Sequence, residues 1–83
     1  AHLETYHAYR SALERLIDGF LTAEGRSLPP GELHRLAVAC NAVIDGLWVE
    51  GAMLPQKLPG DEVIRVAMES ISAILDVDPA VLA

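Results

Sequence analysis

The chain has 83 residues, enough for one small domain. Its 12 acidic and 6 basic residues give a net charge of −6, and Arg10, Arg15, Arg26, Arg35, Lys57 and Arg65 are scattered, which excludes the clustered basic face that nucleic-acid phosphates require. At 52% hydrophobic with four aromatic residues, Tyr6, Tyr9, Phe20 and Trp48, the apolar mass is aliphatic and exceeds what so short a chain buries easily, so self-association is expected.

The first predicted element covers roughly residues 2–24. Leu3, Tyr6, Tyr9, Leu13, Leu16, Ile17 and Phe20 recur at three- and four-residue steps, the period of an amphipathic helix. Arg10 and Glu14, and Ser11 and Arg15, fall one turn apart on its surface. Gly25 is the expected stop, because glycine accepts the left-handed conformation that closes a helix. The start, Ala1 followed by HLETYHAYRSALERL in full helical period with no capping residue before it, is what a segment of a longer protein would present.

RSLPPGEL punctuates next. Pro29 and Pro30 suit a first turn, with Glu32 placed where the helix dipole favours a carboxylate. A second helix is expected over roughly 30–53. One face carries Leu33, Leu36, Ala37, Cys40, Ile44, Leu47 and Trp48; another carries Val38, Ala39, Ala42, Val43, Val49 and Met53. A helix apolar nearly all round is one buried on most sides. LPQKLPGDE breaks the chain again through Pro55, Pro59 and Gly60, with Asp61 and Glu62 as cap and first-turn residues. A third helix is expected over roughly 61–77. Ile64, Ala67, Met68, Ile71, Ile74 and Leu75 form its stripe; Glu62, Arg65, Glu69, Ser72 and Asp76 form its wet edge. DVDPAVLA reads as a tail in which Pro79 stops any extension. No window of 18 residues is apolar without charge, so no membrane span is expected.

Candidate sites are few. His2, His7 and His34 lack the three- or four-residue spacing of helical metal ligands, so no metal is expected. Cys40, the lone cysteine, cannot form an internal disulfide, fits a reducing compartment, and reads as a small buried hydrophobe. No phosphate loop, nucleophile elbow or catalytic carboxylate pair can be picked out, so no catalytic residue and no cofactor are expected. Tyr6, Tyr9, Trp48 and Asp45 are candidate ligand-pocket residues; packing as core is the plainer role for the aromatics. Gly46 stands out, because glycine inside a helix costs about 1 kcal/mol relative to alanine. With Ala39, Ala42, Val43 and Val49 it forms a smooth small-residue patch suited to a close helix crossing, and Asp45 beside it would need donors if buried.

ACNAVIDGLWVEGAML, followed by a proline-containing loop and a short final amphipathic helix, resembles the C-terminal end of TetR-family transcriptional regulators, in particular the BetI-like subgroup. The specific element is Ile44-Asp45-Gly46-Leu47-Trp48; YRSALERLIDGFLTAEGR resembles the helix preceding it in those regulators, so the likeness covers roughly residues 9–77. The resemblance implies an all-α, three-helix segment of a TetR-type C-terminal domain, residues 1–83, whose last two helices form a four-helix bundle in a homodimer. It implies dimer contacts on the two last helices, for which Ala39, Ala42, Val43, Gly46, Val49, Met53, Ile64, Met68 and Ile71 are the candidates. It further implies a cytoplasmic, non-enzymatic repressor part that senses a small-molecule effector and meets operator DNA only through an N-terminal helix-turn-helix domain, a segment the 83 residues do not include. The alternatives are a free-standing helical module docking on an unrelated protein, and a small all-helical enzyme.

Overall fold

The computed structural model describes residues 2–53 and 58–82, with the side chain of His2 excepted. Helix α1 spans His2–Ala23, α2 Glu32–Met53, α3 Gly60–Leu75, and a short α4 spans Pro79–Leu82; no strand occurs among the described residues. The chain divides into two compact units, residues 1–38 and 39–83, with the boundary inside α2.

The first unit holds α1, the connection and the start of α2. Alpha-helix α1 ends where its sequence says it should. Gly25 sits at φ +75, its N–H bonds to the Thr22 carbonyl at 2.9 Å, and the Arg26 N–H bonds to the Leu21 carbonyl at 2.9 Å. That pair of bonds is the left-handed closure that satisfies the carbonyls a helix end leaves open. The second helix begins later than its prolines suggest. Gly31 has φ +83, and the Glu32 N–H bonds to the Pro29 carbonyl at 3.1 Å. Proline followed by a left-handed glycine is the signature of a tight turn, so Pro29 and Pro30 build the turn before α2 and lie outside its first helical residues. Ile17, Leu21 and Ala37 are the buried apolar residues of this unit. Arg10 and Glu14 take partners other than each other: Glu14 faces the His34 imidazole at 3.6 Å, and an Arg10 Nη donates to the Tyr6 hydroxyl.

The second unit holds the rest of α2 with α3 and α4. Pro59 precedes α3 and its carbonyl accepts from Glu62 and Val63 N–H, both at 3.0 Å. Asp61 therefore serves in the first turn beside Glu62 and is not the cap. The expected break at Pro55 lies outside the described residues. Helix α3 stops at Leu75, two residues sooner than its periodicity predicts, because Asp76 turns left-handed at φ 56 and closes it, with Val77 N–H on the Ser72 carbonyl at 2.9 Å. Pro79 then opens a helical turn where a plain tail was expected. Asp78 Oδ1 accepts the Ala80 N–H at 2.9 Å, and proline at the first helical position has no N–H to leave unsatisfied. Helix α4 contacts α3.

The buried residues of this unit are Cys40, Asn41, Ser72 and Leu75. Ser72 was expected on the wet edge of α3. It is buried, and its hydroxyl donates to the Glu69 carbonyl one turn back at 2.9 Å, which removes the cost of hiding it. The wet edge is instead a short ladder: Arg65 lies 4.0 Å from the half-buried Glu62 and 3.5 Å from the exposed Glu69. Such pairs add only about 0.2–0.5 kcal/mol each. The expectation of no membrane span stands at α2. By length and composition, with a window of mean hydropathy 1.3, Glu32–Met53 could cross a bilayer. Its Asp45, near the middle of that span, opposes this, a charged group at mid-bilayer costing on the order of 2.5 kcal/mol.

Candidate functional site

The apolar residues of α2 fall on two sides of the helix. Ile44, Leu47 and Gly51 recur at three- and four-residue steps on one side. Facing them from α3 are Val63, Ile64 and Ala67, and together with Trp48 and Ala52 these residues line an open groove of about 570 Å³. Trp48 is 75% exposed and Ile64 64% exposed. The sequence reading places Trp48 as core or pocket filler. In the single chain it shares the groove side of α2 with Ile44, one turn back, but stands at the rim with most of its ring in solvent.

The other side of α2 carries Ala42, Gly46, Val49 and Met53, again at steps of four, three and four. All four are exposed, Val49 by 53% and Met53 by 74%. Ala42 and Ile44 are two residues apart, about 200° round the helix, so this face points away from the groove. Nothing lies within 4 Å of where a Cβ on Gly46 would project. Within one chain, therefore, Gly46 makes no close crossing. Ala39 and Val43 flank the face and are half-buried, as are Met68 and Ile71 on α3. The nine candidate contact residues thus do not form one surface: Ile64 belongs to the groove, while Ala42, Gly46, Val49 and Met53 belong to the outer face of α2.

Asp45 is exposed on α2. Water solvates its carboxylate, so it needs none of the donors that burial would have demanded; His34, one of those considered, faces Glu14. The four candidate pocket residues divide between the units. Trp48 and Asp45 lie on α2 in the second. Tyr6 and Tyr9 lie on α1 in the first, each partly exposed, at 40% and 45%. An aromatic face can attract a cation, but Tyr6 already has one: the Arg10 guanidinium carbon sits 4.7 Å from its ring centroid. The His7 ring meets Tyr6 edge-on, with centroids 6.3 Å apart and planes at 68°.

Chemically the groove is bland. A volume of about 570 Å³ is within the range of small-molecule pockets, yet such pockets carry a few convergent polar groups that orient a ligand, and every residue lining this one has an apolar side chain or, in Gly51, none. A long apolar trough with a tryptophan at its rim suits another apolar protein surface better. Cys40 is buried, and that burial pushes its thiol above the ordinary value of 9.0, the opposite of what a nucleophile needs. No cluster of three or more metal-ligating side chains occurs among the described residues.

The groove was partly legible in the sequence. Ile44 and Leu47 read as core by period, and Ile64 as a contact residue. Val63 and Ala67 fall on the apolar side of the third helix by period, whereas Gly51 and Ala52 carry no such signal, since side chains that small mark a groove only once a second helix is set beside them. Compared with known proteins, residues 1–76 match a family described as BetI-type transcriptional repressor, C-terminal. No curated protein and no solved structure matches the chain.

Proposed function

Because this chain belongs to the family of BetI-type transcriptional repressor C-terminal domains, we propose that it is the dimerisation and effector-sensing part of a bacterial TetR-like repressor, coupling small-molecule binding to release of DNA. Domains of this family in general serve dimerisation and ligand binding in repressors, and the family is non-enzymatic. The observation that supports pairing here is the unfilled apolar groove between α2 and α3, with Trp48 and Ile64 exposed along it. Exposed apolar surface of this kind marks protein interfaces. A second copy supplies the same trough and the same tryptophan, and a two-fold contact is self-complementary by construction.

In this reading the last two long helices of each subunit, α2 and α3, assemble into a four-helix bundle. Of the nine candidate contacts, Ile64 lies in the groove and Ala42, Gly46, Val49 and Met53 on the opposite face of α2, with Ala39, Val43, Met68 and Ile71 half-buried beside them, so they are proposed as two separate contact surfaces, each tested on its own. Tyr6 and Tyr9 on α1 and, separately, Trp48 and Asp45 on α2 are the residues proposed to meet an effector. The effector acts by changing the relative orientation of two subunits. Two DNA-reading heads must match half-sites about one helical turn apart, so a modest rotation is enough to lose the operator, and the difference in effector affinity between the two orientations sets the coupling. Operator DNA is met through an N-terminal helix-turn-helix domain and not by this net-acidic segment. The working compartment is the cytoplasm, where the operator is.

Analytical ultracentrifugation of the chain over a dilution series tests the pairing. The expected result is a reversible monomer–dimer equilibrium. A species that stays monomeric at high concentration, with a cooperative helical melt, would defeat the proposal. Association only with an unrelated protein would favour a free-standing interaction module instead.

A further inference from the structure

We draw no further inference here: the strongest candidate, the open apolar groove between α2 and α3 lined by Ile44, Leu47, Trp48 and Ile64, belongs to the pairing surface already proposed, and nothing in the structure shows any other occupant covering it.

Discussion

Substituting Gly46 separates what one chain needs from what a pair needs. In the single chain a Cβ at this position meets nothing within 4 Å, and Gly46 is not among the residues with positive φ. Alanine there removes the flexibility of a mid-helix glycine, a gain of about 1 kcal/mol for folding. For a domain of this size that is a rise in Tm of roughly 4–8 °C. The same Cβ has the opposite effect if a second backbone passes close to Gly46 in the dimer. Gly46→Leu then overpacks the crossing at about 1–3 kcal/mol, a loss of about 5- to 150-fold in pairing affinity. Two measurements are needed: thermal melts at a concentration where the chain is monomeric, and a sedimentation dilution series for Kd. The expected pattern is Gly46→Ala stabilising the monomer while Gly46→Leu weakens the dimer. If Gly46→Leu pairs as tightly as the parent chain, the outer face of α2 lies outside the interface, and the reasoning that tied this glycine to a close crossing is wrong.

Ile64→Lys probes the groove side independently. Ile64 is mostly exposed and lysine is at least as good a helix former, so the monomer should melt unchanged while pairing falls by tenfold or more, about 1.4 kcal/mol; unaltered sedimentation would remove the groove from the interface. Trp48 offers a direct optical readout, being the sole tryptophan: its emission should shift to the blue as concentration rises, and Trp48→Ala should cost about 2 kcal/mol in pairing, as buried interface tryptophans do, with little change in monomer stability. An emission maximum independent of concentration would count against a paired Trp48. At Gly31, with φ +83, alanine should lower stability by about 1–2 kcal/mol, read as a lower urea midpoint at constant slope; an unchanged midpoint would show that the turn tolerates a Cβ. Finally, burial raises the Cys40 thiol above its ordinary 9.0. The folded chain resists losing that proton more than the unfolded chain does, so the contribution is fully present below pH 9 and is lost as pH rises through the folded value. Cys40→Ala should flatten that alkaline fall in stability when melts are compared across pH 8–11, and identical slopes would refute it.

The sequence by itself was enough for the three long helices, for Gly25 as the end of α1, and for the family. Those features are local: a 3.6-residue period, a glycine that tolerates positive φ, and a contiguous IDGLW element. It was less informative wherever one residue could serve two local roles. Pro29 and Pro30 fit either a first helical turn or a turn before the helix, and Gly31 at φ +83 decided it. Ser72 fits a wet edge by type, but its hydroxyl has the Glu69 carbonyl as a partner and can be buried. Pro79 stops a helix from behind and starts one from the front, and the Asp78 carboxylate made it a start.

Only tertiary structure showed which of the two faces of α2 looks toward α3. IDGLW holds residues of both surfaces within five positions: Ile44 and Leu47 turn to the groove, Gly46 to the outer face, Trp48 to the rim. Period alone separates two apolar faces on such a helix. Which side meets α3 and which is left bare depends on where α3 lies, and that is set by packing across residues distant in sequence. The aliphatic excess was therefore legible from composition, but its location, a trough open along Trp48 and Ile64, became visible only once α2 and α3 stood side by side.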